Sequence, residues 1–306
     1  MRIKAIDTFR GLSILLMVFF TIILGLCSSL PWLLTHNVPG TLRPGDFVLP
    51  MFLFASGMSL VYFDKKKSKN KDYILDIIER IGKLVMIWFF LSPISSGEFL
   101  GMDEIMLNVL LFMPTLLLIK FSNKEIIIAG LSVFLLYFAL QVVGFLPDFN
   151  ANYLGGYGAA IFYLPVMLAG VIAGREIENI DKYITPLILF SVIMLILIPP
   201  YKLMVTPSFI ILSILVSLLF FKLSKKIDIK EIEYLGKDPI RYWVLMFVVL
   251  GLPLLMYADG LDIGLPLKLD WLTAIGLTIV GMVILYMLSK ILDIVISITK
   301  KHTARG

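Results

Sequence analysis

A chain of 306 residues that is 59% hydrophobic and only 16% charged holds more apolar surface than a water-soluble core can absorb, which excludes an ordinary soluble enzyme. The single cysteine and two histidines exclude an internal disulfide and leave too few ligands for a protein-built zinc or haem site, so no metal is expected. The net charge of +5 reads as membrane orientation before it reads as an anionic partner, and no nucleic-acid partner is expected.

Walking between charged side chains gives ten charge-free stretches: 11–42, 47–63, 84–97, 105–119, 126–147, 149–174, 183–201, 203–221, 242–258 and 271–289. Most are long enough for a helix to cross the hydrocarbon, which takes roughly 17–25 residues. The two shortest are flanked by Lys83 and Lys120, whose ammonium groups can extend to the interface. The runs lack the alternation of barrel strands, and lipid offers no partner to open backbone groups. The expected fold is therefore all-α: a polytopic membrane helix bundle of about ten transmembrane helices, one domain over residues 1–306, with a short outer loop between spans one and two.

The first span is preceded by Arg2, Lys4, Asp7 and Arg10. Those charges, the length of the run and the lack of a small-x-small cleavage site argue against a secretory signal. Cys27 reads as lipid-facing or packed filler. After span two, Asp64 to Asp72 form a polar loop, and residues 73–80 carry apolar positions at helical spacing, which suits a helix lying in the interface before span three. With the N-terminus inside, all but Arg43, Lys202 and Lys268 of the 27 lysines and arginines fall on inner segments. That asymmetry predicts a multi-pass protein of the plasma membrane with both termini cytoplasmic. The first five spans and the last five share no motif or spacing, which disfavours an inverted-repeat transporter.

Polar residues near membrane depth are costly and mark candidate chemistry. They concentrate in the first sixty residues: Asp7-Thr8-Phe9-Arg10-Gly11 at the inner mouth of span one, Thr21 within it, His36 in the outer loop, and Asp46 through Pro50 opening span two. An imidazole takes a proton from an amine or hydroxyl, or attacks a thioester itself. Asp46 either orients His36 through a ring N–H or caps the start of span two. Asp7 and Arg10 lie three apart on one helical face and pair with each other or with headgroups. Trp32, Arg43, Tyr153 and Tyr157 are expected on the outer side, as interfacial belt residues or as a stacking surface for a sugar.

This pattern resembles the transmembrane acyltransferase family typified by heparan-α-glucosaminide N-acetyltransferase: Asp7-Thr8-Phe9-Arg10-Gly11, an apolar span, His36, and ten residues later Asp46 with Pro50. Fainter likenesses are the glycine-punctuated span over 155–174 and Leu235-Gly236-Lys237-Asp238-Pro239-Ile240-Arg241-Tyr242. Thr21 stands where the family often has asparagine, and Val38-Pro39 replace its usual tryptophan. The resemblance implies acetyl-CoA as acyl donor, reaching the bundle from the cytoplasm, with a small glycan or glycolipid as acceptor and a homodimer as assembly. It assigns His36, Asp46 and Thr21 to catalysis, Asp7, Arg10, Lys237 and Arg241 to coenzyme A, and Trp32, Arg43 and Tyr157 to the acceptor. Guanidinium suits phosphate because its planar fork donates two hydrogen bonds at once. Two alternatives stay open at this stage. One is O-acylation of a surface polysaccharide. The other is a proton-coupled transporter or flippase with Asp7, His36 and Asp46 as its relay.

Overall fold

A computed structural model describes residues 3–36, 38, 41–67, 72–95, 100–143, 160–200, 202, 205–251 and 269–303. Each of the ten charge-free stretches carries a helix, and among the described residues there is no strand. In chain order these are α1 (Lys4–Leu26), α2 (Val48–Lys67), α3 (Tyr73–Ser95), α4 (Glu104–Leu118), α5 (Asn123–Val142), α6 (Leu164–Arg175), α7 (Asp181–Leu197) and α8 (Pro207–Ser224). Then follow α9 (Lys230–Lys237), α10 (Pro239–Leu245), which runs on as a π-helix over Met246–Gly251, and α11 (Trp271–Thr303). Five helical segments are long and apolar enough to cross a bilayer: Lys4–Leu26, Pro44–Lys66, Asn123–Leu140, Pro207–Ser224 and Trp271–Thr299. The result is a helical membrane bundle. Tyr153, Tyr157, Lys268 and the first part of the glycine-punctuated span lie outside the described residues.

The helix starts follow local rules. Asp103 caps α4 by accepting the Met106 N–H at 2.9 Å, and Thr206 caps α8 ahead of Pro207. Asp238 and Pro239 form the same cap-then-proline signal at α10. A large apolar surface remains outside: Leu117, Leu136, Ile196, Leu272 and Val283 are each more than half exposed. Hydroxyls, by contrast, are turned inward, with Ser13, Ser208, Ser213, Ser217 and Thr278 fully buried. Such a surface is compatible with lipid and not with water.

Two helix crossings set the frame, and both are made where a side chain would not fit. Along α2 and α6, a Cβ on Gly57 would lie 2.0 Å from Met167 O, and one on Gly170 would lie 2.1 Å from Phe54 O. Between α1 and α9, a Cβ on Gly236 would lie 1.7 Å from Asp7 O, and one on Gly11 would lie 1.9 Å from Ile232 O. Close approach through small residues is the usual way helices pack where lipid removes the hydrophobic drive between them. Helix α1 stands between two apolar clusters. Ile6 and Phe9 pack with α2, α4, α5, α6 and α8, while Ile14, Met17, Val18 and Ile23 pack with α3, α10 and α11.

Two expectations change. Residues 73–80 do not form a separate interfacial helix, because α3 runs unbroken from Tyr73 to Ser95. The inner segment that reads as charged loop before Asp238 contains α9, whose Leu235 and Gly236 are buried against α1. Cys27 is packed filler, 2% exposed.

Candidate functional site

Helix α1 carries a cavity at each end. At its C-terminal end, Met17, Phe20, Thr21, Leu24, His36, Gly45, Glu104, Lys202, Trp243 and Phe247 are among the residues that enclose about 260 Å³. The chain reaches His36 through a 3₁₀ turn over Trp32–Leu34 and leaves it through another over Pro44–Phe47. The imidazole lies 5.8 Å from the Phe20 ring, centroid to centroid. Gly45 makes that placement possible: a Cβ there would sit 2.9 Å from His36 Cβ and 3.0 Å from Phe20 Cε1. His36 Nδ1 is buried without a hydrogen-bond partner among the described residues.

Asp46 is fully buried. Its Oδ2 accepts the Arg43 N–H at 2.7 Å while its own N–H donates to Arg43 O at 3.0 Å, so the side chain closes the turn that precedes α2. Its Oδ1 lies 3.7 Å from Lys202 Nζ, an ion pair 6% exposed on the lysine side. The turn closure is the capping alternative for Asp46, and Lys202 is a cation partner that the sequence did not suggest. Burial pushes the Lys202 ammonium pKa down, opposed by the Asp46 and Glu104 carboxylates. Burial, with Lys202 adding to it, holds His36 down to about 3. The imidazole in this pocket is therefore neutral at physiological pH, with a lone pair to give.

Thr21 is on the same wall, and its hydroxyl donates to Met17 O at 2.9 Å. In this rotamer its proton is committed to the helix. Trp32 and Arg43 meet at the surface beside the His36 loop, the guanidinium 5.7 Å from the indole ring centroid and Arg43 Nε donating to Thr41 Oγ1 at 3.1 Å. Tyr157 lies outside the described residues.

At the other end of α1, Ile3, Ile6, Asp7, Arg10, Ser59, Tyr62, Phe63 and Lys66 line a second cavity of about 260 Å³. Asp7 is 4% exposed, and Arg10 Nη1 lies 3.6 Å from its Oδ1. Lys66 adds a cation that sequence reasoning had left in the loop. Lys237 and Arg241 are not part of this cavity. They line a separate one of about 320 Å³ with Tyr234, Ser289 and Asp293. There Lys237 pairs with Glu233 at 2.9 Å, and Arg241 with Asp238 at 3.0 Å and with Asp293. The structure thus brings Asp7 and Arg10 together and divides them from Lys237 and Arg241.

Sequence reasoning missed Lys202, Glu104, Trp243 and Phe247 as parts of the His36 cavity. Each comes from a helix or connection far along the chain, and no local motif announces any of them. Among the described residues no three histidine, cysteine or carboxylate side chains gather as a metal-binding group.

Residues 2–196 match the family model for heparan-alpha-glucosaminide N-acetyltransferase, catalytic. No curated protein matches the chain.

Proposed function

The chain belongs to the heparan-alpha-glucosaminide N-acetyltransferase family, and from that premise we propose that it moves an acetyl group from cytoplasmic acetyl-CoA to an amino sugar presented at the outer face of the membrane. The observation that carries this reading is the pair of cavities on one helix, a cationic one around Arg10 and Lys66 and an imidazole one around His36.

Arg10 and Thr21 are eleven residues apart on α1, which at helical rise is about 16 Å. The pantetheine arm of coenzyme A is about as long as five extended residues, roughly 17 Å. Phosphates held at Arg10 and Lys66 therefore leave the thioester within reach of His36. Guanidinium and ammonium supply the charge-assisted hydrogen bonds that phosphate needs. Orientation rests on the concentration of lysine and arginine at the Arg10 end of the chain's spans.

On the acceptor side the cavity and its rim hold Asp46, Glu104 and Lys202 beside a neutral imidazole. Two carboxylates against one ammonium favour a cationic amino sugar over a neutral hydroxyl sugar. The exposed Trp32 ring, backed by Arg43, offers a face for a pyranose to stack on. The bound ammonium first releases one proton to the outer water; the lone pair of the free amine then attacks the thioester carbon, and His36 takes the second proton as the amide forms. Holding this exchange in a dry, shaped cavity strengthens every electrostatic contact made there.

The test uses purified protein in lipid vesicles with labelled acetyl-CoA inside, and glucosamine or a hydroxyl-only sugar outside. Wild type should label glucosamine, and His36→Ala should lose roughly 10²- to 10⁴-fold. Equal labelling by both proteins would reject the role of His36. Preferred labelling of the hydroxyl sugar would move the assignment to O-acylation.

A further inference from the structure

Trp243 is carried on α10, just before the helix widens into its π-helical turn at Met246. Such widenings occur often at functional sites. The indole is 3% exposed and locked edge-to-face on Phe247, ring centroids 4.8 Å apart at 82°. Both rings line the His36 cavity. Below them Tyr242 donates its hydroxyl to Met282 O at 2.8 Å, which ties α10 to α11.

The indole Nε1–H is buried without a hydrogen-bond partner among the described residues. Indole nitrogen is a donor only, so nothing but an acceptor can satisfy it. A buried donor left unmade is costly, and folded proteins normally avoid it. Two orphaned ring nitrogens, Trp243 Nε1 and His36 Nδ1, thus belong to residues that wall one cavity, together with the buried Lys202 ammonium.

We propose that Trp243 Nε1–H is the hydrogen-bond donor to the carbonyl oxygen of the transferred acyl group, with Lys202 supplying the nearby positive charge. This rests on the acyl-transfer reading above and adds a residue to it. As the acceptor lone pair forms its bond to the carbonyl carbon, the C=O π pair moves onto oxygen, where Trp243 and Lys202 stabilise it. The acceptor proton passes to His36. When the oxyanion collapses, the carbon–sulfur bond breaks, sulfur leaves with the bonding pair, and it takes the proton from the imidazolium to become the free thiol. No oxidant, reductant or further reactant is required.

Replacing Trp243 with β-(3-benzothienyl)alanine puts sulfur where the N–H stands and keeps the ring shape. Acetyl transfer should fall about 10²-fold in kcat, in the range seen when one oxyanion donor is removed, with the KM for acetyl-CoA within about twofold. Undiminished kcat would overturn the proposal. In parallel, the infrared carbonyl stretch of [1-¹³C]acetyl-CoA bound to His36→Ala should lie below its value in water, and Trp243→Phe in that background should raise it. An unchanged stretch overturns the assignment even if the benzothienyl protein is poorly folded. Absence of any acetyl transfer by wild type would instead sink the underlying reading, and the proposal with it.

Discussion

Gly236→Ala tests the crossing of α9 over the Asp7–Gly11 turn of α1. An alanine Cβ there would sit 1.7 Å from Asp7 O, 2.6 Å from Asp7 C and 2.8 Å from Gly11 N, all of them α1 backbone that has no rotamer to yield. Restoring an ordinary contact of 3.4 Å means parting α9 from α1 by 1.7 Å. Overpacking of this kind costs typically 1–3 kcal/mol. Alanine's advantage over glycine in a helix is about 1 kcal/mol in the interior and less in the last turn, where Gly236 stands. The expected net loss is about 2 kcal/mol, read by unfolding titrations in mixed micelles. Gly82→Ala is the control, since a Cβ there meets nothing within 4 Å, and it should be neutral or stabilising by up to about 1 kcal/mol. Acetyl-CoA affinity should weaken in Gly236→Ala alone, because Asp7 lies both at the crossing and in the cavity wall. If the two variants unfold together, the α1–α9 contact is not the tight crossing described.

In a His302→Gln background His36 is the single imidazole, and its carbon-13 resonance should not titrate between pH 5 and 8, because its pKa lies at about 3. The unfolded chain binds the proton near pH 6.5 and the folded one does not, so this stabilisation is complete above about 6.5 and is lost as pH falls toward 3. Asp46→Asn removes the carboxylate paired with the buried Lys202, leaving Glu104 alone to offset its charge, and should cost about 3 kcal/mol in the same micelle titration, most of it recovered in the double variant with Lys202→Met. Trp32→Ala should raise the KM for the sugar roughly two- to fivefold, the scale of an exposed cation–π contact, and leave the KM for acetyl-CoA unchanged.

The helices were legible because lipid leaves the backbone one local solution: uninterrupted apolar residues between charges. His36 and Asp46 could be singled out because they lie ten residues apart around one outer loop. What surrounds them could not. Lys202 is a lone charge in a short connection, and only the fold brings it to Asp46, 156 positions away. Glu104 reads as the first turn of a helix and Trp243 as one aromatic among many, until the cavity collects them. Helix α9 was hidden by its charges: Lys230, Glu231, Glu233 and Lys237 dominate its eight residues. The spacing of Ile232 and Leu235, three apart, was the available signal for an inward face. Lys237 and Arg241 carry the right chemistry for phosphate. Their neighbours Glu233, Asp238 and Asp293 already occupy them, and that pairing depends in part on a helix more than fifty residues downstream.

The last helix runs for 33 residues, about 50 Å at helical rise, while the hydrocarbon layer is about 30 Å deep. Upright, it overshoots the lipid by nearly four turns, and tilt takes up only part of the excess. Its charged final third begins at Lys290, where the ammonium sits 3.6 Å from the Tyr234 ring centroid, and Asp293 then grips the Tyr234 hydroxyl at 2.6 Å and the Arg241 guanidinium. The end of the last helix thus ties down the short helix that crosses the foot of the first span at Gly236, so truncation after Ser289 would loosen the Arg10 mouth without touching a residue that lines it.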